Sequence, residues 1–83
     1  MSIIDELPNK ERYILLILER HRIMSFTEIQ KSIKSNYWYA QKYLEDLKER
    51  GLILEKKYRK VRVFILTDKG RLVVNAIKKL YGL

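Results

Sequence analysis

The clearest chemical signal in this sequence is a cluster of basic side chains that can bind an anion. Five of them fall within seven consecutive positions: Lys56, Lys57, Arg59, Lys60 and Arg62. Like charges at this spacing repel one another, and an external polyanion would relieve that repulsion. The whole chain of 83 residues has 18 Lys and Arg against 10 Asp and Glu, so nucleic acid is the leading class of partner.

The positive charge is concentrated in the middle of the chain. Residues 34 to 62 carry nine basic and four acidic side chains, whereas residues 1 to 33 carry five of each. A basic surface can also bind an anionic membrane or serve only to keep the protein soluble, so charge alone does not identify the partner. The fold must show which surface displays these residues.

The acidic and histidine residues form no catalytic or metal-binding pattern. Glu45, Asp46 and Glu49 are interleaved with Lys and Arg at helical spacing, which predicts ordinary ion pairs three or four residues apart. His21 has no second ligand nearby, and the chain has no Cys for a disulfide or a thiolate zinc site. The sequence therefore predicts no enzyme activity, no cofactor and no metal.

The sequence also argues against a membrane protein. Its apolar runs, such as residues 14 to 18, are far shorter than the roughly 20 residues that span a bilayer. Asp5 and Glu6 lie where a secretory signal would need a basic start and an apolar run. The lack of Cys fits a reducing compartment, so we expect a cytoplasmic protein.

Helix caps and apolar periodicity predict two helices in the first part of the chain. Pro8 suits the first turn of a helix over residues 8–22. Ser25 and Glu28 have the spacing of a capping box, which predicts a second helix over 25–34. Both segments repeat apolar residues at helical spacing, as expected for helices that cover a core.

A third helix is predicted over residues 36–50. Asn36 suits its N-cap, and Gly51 can end it in the left-handed C′ conformation. Its inward stripe is Ala40, Tyr43, Leu44 and Leu47. The outward side is free to contact a partner and carries Trp38, Gln41, Lys42, Glu45, Lys48 and Glu49.

The composition changes after Gly51, where aliphatic and β-branched residues predict a two-stranded hairpin over 52–67. Arg59 and Lys60 form its two-residue link. Thr67 can cap a last helix over 68–81. The predicted order is therefore three helices, two strands and a final helix, all in one domain covering residues 1–83.

Two motifs in this order resemble those of winged helix-turn-helix transcription regulators. The segment from Ser25 to Leu54 carries the family pattern L-x-x-L-x-x-x-G-L-I at Leu44, Leu47, Gly51, Leu52 and Ile53. The hairpin ends in Leu66-Thr67-Asp68-Lys69-Gly70, similar to the L-T-x-K-G that closes the wing in MarR- and PadR-type regulators. The resemblance implies an α+β winged-helix fold.

The resemblance covers roughly Pro8 to Leu80 and departs from the family in two places. Lys34 and Ser35 lie in the turn where relatives often have Gly followed by an apolar residue. Aromatic residues replace small polar ones near the start of the third helix. The short chain is closer in size to small winged-helix proteins of archaea and their viruses.

The resemblance and the charge together imply a cytoplasmic, sequence-specific regulator that binds double-stranded DNA. The third helix would enter the major groove, where Gln41 and Lys42 would read bases. Its first turn would contact phosphates, sugars or thymine methyl groups through Ser35, Asn36, Tyr37, Trp38 and Tyr39. The basic wing would contact the backbone beside the minor groove. The aromatic residues could instead pack against the second helix or a partner chain.

The last helix has a wider apolar girdle than a single small core needs, which predicts a homodimer. The predicted interface residues are Ile3, Ile4, Leu72, Val73, Ala76, Ile77, Leu80 and Tyr81. Two third helices would then reach successive major grooves, about 10 to 11 base pairs apart. The alternative is that this girdle only completes the core of a monomer.

Two other functions are compatible with the same residues. A sequence-tolerant architectural DNA-binding protein would have the same charge and little preference among sites. A winged-helix protein–protein adaptor would use Trp38 and the neighbouring tyrosines as anchors. The salt dependence of DNA binding and competition between random and selected duplexes distinguish the three.

Overall fold

Four helices and three strands follow one another along residues 6–82, the part of the chain that the computed structural model describes. In chain order they are α1 (Asn9–His21), β1 (Ile23–Ser25), α2 (Phe26–Ile33), α3 (Tyr37–Glu49), β2 (Ile53–Tyr58), β3 (Val61–Leu66) and α4 (Asp68–Tyr81). The helix-turn-helix, the hairpin and the closing helix confirm the α+β winged-helix fold expected from the sequence.

Side-chain caps start α2, α3 and α4, as the spacing of the capping residues predicts. Ser25 Oγ accepts from Glu28 N at 3.1 Å, while Glu28 Oε1 accepts from Ser25 N at 2.9 Å. Asn36 Oδ1 accepts from Tyr39 N at 2.9 Å, and Thr67 Oγ1 accepts from the N–H three residues on. Each cap satisfies a backbone donor that the helix itself leaves unpaired.

The Gly51-Leu52 pair ends α3 in a Schellman motif. Gly51 N donates to Lys48 O at 2.9 Å, and Leu52 N donates to Leu47 O at 3.0 Å. Gly51 has a φ of 74°, which favours glycine at this position. Leu47 and Leu52 are both fully buried, so the motif turns the chain toward the sheet without exposing the core.

The three strands form one antiparallel sheet in the order β1-β3-β2. Strands β2 and β3 form the predicted hairpin, with Tyr58 opposite Val61 and Arg59-Lys60 as the link. Strand β1, which pairs Met24 with Phe64, was not predicted from the sequence. Its three residues are too few to show an alternating pattern.

The core lies between the inward faces of the helices and one face of the sheet. Its largest fully buried side chains include Ile14, Leu15, Leu18, Ile29, Leu44, Leu47, Leu52, Ile53, Phe64 and Ile77. Ala40 of the predicted α3 stripe is also fully buried, whereas Tyr43 is only partly buried and packs at the edge of the core. The helix-turn-helix and the hairpin therefore share one core, which keeps their relative positions constant.

Thr67 and Gly70, from the motif that closes the hairpin, bring α4 against the end of α3. Thr67 Oγ1 donates to Gly51 O at 2.6 Å, and Thr67 N donates to Leu52 O at 3.1 Å. A Cβ at Gly70 would overlap the carbonyl oxygen of Leu52. Glycine is needed at position 70 because the backbone of Leu52, just before β2, approaches the helix there.

Replacement of that glycine should therefore destabilise the domain, although alanine is the better helix former at an open site. We expect Gly70→Ala to lower the free energy of unfolding by about 1–3 kcal/mol, because backbone must move to make room. Urea unfolding followed by circular dichroism measures this change. Asn75→Ala, at an exposed site of the same helix, is the control, and equal stability of the two variants would contradict the explanation.

Candidate nucleic-acid interface

The turn between α2 and α3 is held by residues from three elements. Lys34 ends α2 in the left-handed conformation, with a φ of 54°, at the position where the sequence lacks the expected glycine. Lys10 of α1 donates from Nζ to Ile33 O and to Ser35 Oγ, the latter at 3.1 Å. A cation at the carbonyl end of α2 is favourable. The ammonium of Lys10 therefore holds this turn, which lacks the usual glycine, by binding a carbonyl at the end of α2 and the hydroxyl of Ser35.

Ser35 and Asn36, two predicted DNA contacts, both have local structural roles. The Ser35 hydroxyl accepts the hydrogen bond from Lys10, and the Asn36 carboxamide caps α3. Asn36 is exposed and Ser35 is half-buried. Their position at the start of α3 leaves their remaining hydrogen-bonding capacity open to a partner.

Three aromatic side chains stand out from the first turn of α3. Tyr37 packs its ring on Phe26 of α2 at a centroid distance of 5.0 Å. This contact matches the alternative in which the aromatic residues pack against the second helix. Trp38 is 60% exposed and meets Tyr39 edge-on at 4.9 Å. Lys42 Nζ lies 5.0 Å from the centre of the Trp38 ring. The exposed surface of this turn is therefore aromatic and cationic.

The five basic residues of the hairpin do not share one side of it. Side chains alternate along a strand, and the register places Lys57 opposite Arg62 on the face that also carries buried Phe64. Lys56 lies on the other face, which points away from α3. Arg59 and Lys60 form the exposed tip, which we call the wing tip, with φ values of 49° and 70°.

Arg62 is bound inside the protein rather than extended into solvent. Its Nε and Nη2 donate to the two carboxylate oxygens of Glu55 at 2.6 and 3.1 Å, and its Nη1 donates to Gln41 Oε1 at 2.7 Å. The guanidinium also lies 4.6 Å from the centre of the Phe26 ring. The sequence predicts Arg62 as one of five DNA-contacting residues of the wing; in the structure its guanidinium makes a contact between the wing and α3.

Two further residues close these contacts into a ring. Gln41 Nε2 donates to Glu45 Oε1 at 2.9 Å, and Lys48 Nζ donates to Glu45 Oε1 at 3.2 Å and to Glu55 Oε1 at 2.9 Å. We call the resulting set the α3–wing network: Gln41, Glu45, Lys48, Glu55 and Arg62. It joins the outward side of α3 to the inner face of the hairpin.

The charges of the α3–wing network stabilise one another. The hydrogen bonds from Arg62, followed by those from Lys48, lower the pKa of Glu55 to about 2 although burial opposes the shift. The same bonds raise the pKa of Lys48 and of Arg62. All three groups are therefore charged at neutral pH, and their mutual attraction is retained there.

A buried carboxyl, that of Glu11, lies behind α3 and was not singled out in the sequence. Glu11 of α1 is only 2% exposed, and burial, followed by a hydrogen bond with Asp46 and the charge of Asp46, raises its pKa to about 8. Burial also acts to raise the pKa of Asp46, but hydrogen bonds from Glu11 and Arg50 outweigh it and lower that pKa. Glu11 therefore keeps its proton at neutral pH, and its carboxyl O–H donates a hydrogen bond to the carboxylate of Asp46. The available signal was its place on the apolar stripe of α1, one turn before Ile14 and Leu15.

The predicted dimer residues of α4 divide into two groups. Val73 and Ile77 are buried in the core of their own chain, so they are not available to a partner. The residues on the outward side are Leu72, which is 69% exposed, Ala76, Leu80 and Tyr81. Tyr81 also accepts a hydrogen bond from Arg12 at 2.6 Å. Ile3 and Ile4 lie outside the described residues.

Two other kinds of site, a metal centre and a membrane span, were sought in residues 6–82. These residues contain no group of three His, Asp or Glu side chains arranged to hold a metal ion. Within the same range, no helix has the length and apolarity needed to cross a bilayer. The exposed first half of α3 and the wing tip remain the strongest candidate surface.

Comparison with known proteins agrees with this geometry. A family profile described as winged helix-turn-helix matches residues 10–83. The chain belongs to the winged helix-turn-helix family. In this winged helix-turn-helix protein, α2 and α3 are the helix-turn-helix and β2–β3 is the wing. No curated protein sequence matches the chain.

Several solved structures share the winged helix-turn-helix fold of this chain. The S. aureus MepR–DNA complex has a TM-score of 0.87 at 18% identity, covering 93% of this chain and 66% of that one. Streptococcus pneumoniae FabT in complex with DNA has a TM-score of 0.86 at 20% identity, and the match covers 98% of this chain and 59% of that one. Lactococcus lactis ZitR, a zinc-responsive MarR family member, has a TM-score of 0.74 at 25% identity, and the match covers 83% of this chain and 49% of that one. The chain therefore spans about half to two thirds of the length of these proteins.

The buried Glu11 carboxyl predicts an unusual pH dependence of stability. Its pKa is raised above the ordinary 4.5, so its contribution to stability is full below that value and is lost as the pH rises through about 8. Glu11→Gln keeps a hydrogen-bond donor for Asp46 but cannot ionise. We expect the variant to lose less stability than the original chain between about pH 5 and 9.

Urea unfolding at a series of pH values measures this difference. Glu49→Gln, which removes one carboxylate from the exposed side of α3, is the matched control. The explanation is wrong if the profile of Glu11→Gln parallels those of the control and the original chain.

Proposed function

We propose that this chain is a sequence-specific regulator of transcription that binds double-stranded DNA. The observation that carries the proposal is the hydrogen bond of 2.7 Å between Arg62 of the wing and Gln41 of α3. It joins the two parts that the sequence predicted as a DNA-binding surface. A winged helix-turn-helix protein needs both on one side in order to contact a groove and the adjacent backbone together.

The exposed side chains support a division of labour on this surface. Trp38 and Lys42 stand on the outward side of α3, which has the width to enter the major groove of B-DNA. Lys57, Arg59 and Lys60 are exposed on the wing and would contact phosphates. Phosphate contacts hold the protein in register, while groups in the groove distinguish base pairs.

Two of the similar structures support the same partner. The S. aureus MepR and Streptococcus pneumoniae FabT structures are complexes with DNA, and both superpose on nearly all of this chain. Sequence identity is 18% and 20%, so these matches establish the fold alone. DNA as the ligand of this chain is therefore proposed from its own surface, with these complexes in support.

The proposed function includes a homodimer formed through α4. Leu72 and Leu80 are exposed on its outward side, and Ala76 lies between them. A twofold axis through this side would bury those residues and set two α3 helices about one turn of DNA apart. The proposal also keeps the sequence expectations of a cytoplasmic and non-enzymatic protein.

The wing tip should act through charge alone. We expect Lys60→Ala to weaken binding to every duplex and to reduce the slope of log affinity against log salt by about 1, because one phosphate contact is lost. Fluorescence anisotropy with a selected and a random duplex, over a range of salt concentrations, measures both effects.

Lys56→Ala is the matched control for Lys60→Ala, because Lys56 carries the same charge on the face of the hairpin that points away from α3. It should have a clearly smaller effect. Equal losses from the two variants would contradict the assigned orientation of the wing. Equal binding of selected and random duplexes by the original chain would instead support an architectural DNA-binding protein, and no binding at low salt would support a protein–protein adaptor.

The dimer proposal predicts that a charge on α4 separates the protomers. Leu72→Glu should shift the chain from dimer to monomer, because the carboxylate would be buried without a partner. The single chain should tolerate the change, since Leu72 is exposed in it. Sedimentation equilibrium measures the mass, and Leu54→Glu, on the exposed side of the sheet, is the control. A monomeric original chain, or a Leu72→Glu variant that stays dimeric, would overturn the proposal.

A further inference from the structure

The α3–wing network uses half of the hydrogen-bonding capacity of the Gln41 carboxamide. A carboxamide has two N–H donors on its nitrogen and two lone pairs on its oxygen. Gln41 Oε1 accepts one bond from Arg62, and its Nε2 donates one bond to Glu45. One donor and one acceptor therefore remain for a ligand, side by side at the end of the same group.

The network also decides which end of the carboxamide faces which neighbour. A guanidinium can only donate and a carboxylate can only accept, so Arg62 must face the oxygen of Gln41 and Glu45 must face its nitrogen. If the carboxamide of Gln41 were flipped, its NH2 group would face the N–H groups of Arg62 and its oxygen would face the carboxylate of Glu45. Neither contact could form a hydrogen bond. The order of the free donor and the free acceptor is thus set by the protein before any ligand binds.

Adenine is the base whose major-groove edge matches this remaining pair. It presents one acceptor, N7, beside one donor, the N6 amino group, whereas guanine presents two acceptors. Gln41 has only one N–H left, so it cannot satisfy both acceptors of guanine. Without the network, the side chain could rotate or flip, and its preference among bases would weaken.

Glu55 is the residue on which this arrangement depends. It binds Arg62 through both carboxylate oxygens and also accepts from Lys48, while its side chain is only 17% exposed. Loss of Glu55 would leave Arg62 without its bidentate partner and free to turn toward phosphates. Arg62 would then no longer hold the oxygen of Gln41.

We propose that Glu55 and Arg62 are specificity-determining positioning residues, which hold the Gln41 carboxamide in the orientation that reads one adenine in each half-site, an inference that rests on the proposed function. Glu55 contacts no base in this arrangement and acts through Arg62. The proposal separates it from the wing tip, whose cations set affinity without choosing a sequence.

The test compares base preference rather than affinity alone. Duplexes that bind the original chain are selected from a random pool, and each A·T pair of the selected site is then replaced by G·C. We expect the original chain to lose roughly tenfold to hundredfold in affinity at one adenine per half-site. Gln41→Ala and Glu55→Ala should both abolish most of that loss, while preferences at the other positions remain.

Glu49→Ala is the matched control, since it removes the same charge from the exposed side of α3 without touching the network. Both acidic-to-alanine variants should bind random DNA at least as tightly as the original chain, because each removes a repulsion toward phosphates. Only Glu55→Ala should lose the adenine preference. A purely structural role for Glu55 would lower thermal stability and affinity for all duplexes together.

A second variant covers the case in which Glu55→Ala does not fold. Arg62→Lys keeps the charge, but a single ammonium does not reproduce the planar fork that holds Glu55 and Gln41 together. We expect the same loss of preference at the same position. Retained adenine preference in a folded Glu55 or Arg62 variant, or no selected position that responds to Gln41→Ala, overturns the inference. Failure of the original chain to bind any duplex overturns the proposed function instead.

Discussion

The bidentate pair between Arg62 and Glu55 is the interaction on which the rest of the candidate surface depends. A two-stranded hairpin alone is marginally stable, and this one carries like charges near its tip. Hydrogen bonds between charged groups contribute about 1.5–3 kcal/mol when they are shielded, more than an exposed pair. The side chains of Arg62 and Glu55 are only 21% and 17% exposed, so they meet this condition. The pair joins the two strands of the wing, and the further bonds of Arg62 to Gln41 and of Glu55 to Lys48 connect the wing to α3.

The turn at the wing tip has a strained backbone. Arg59 and Lys60 both have positive φ, a conformation that disfavours residues with a Cβ, and together they occupy the turn that Asn-Gly usually fills. The sequence keeps two cations there in place of the least strained residues. Charge at the tip is thus retained against the preference of the backbone, which is reasonable if the tip binds an anion.

What could be predicted from the sequence depended on the distance between the residues that interact. Capping by Ser25, Asn36 and Thr67 joins residues three apart, so spacing alone was enough to place the helices. Gln41 and Arg62 are 21 residues apart, and their contact depends on strand register and on the angle between α3 and the wing. Neither is visible in a local pattern, so the sequence placed Arg62 among the wing residues expected to contact DNA.

The same reasoning changes the meaning of the net charge in the middle of the chain. Lys48, Arg50 and Arg62 are each bonded to a carboxylate, so they do not contribute to the surface as free cations. The exposed Lys42, Arg59 and Lys60 retain that role. A count of basic residues therefore combines two classes of cation. Internal cations are bonded to carboxylates and hold side chains in place, whereas exposed cations can attract a polyanion. On the proposed function, the internal cations act on base preference through Gln41 and the exposed cations of the wing tip act on affinity, so substitutions would alter the two separately.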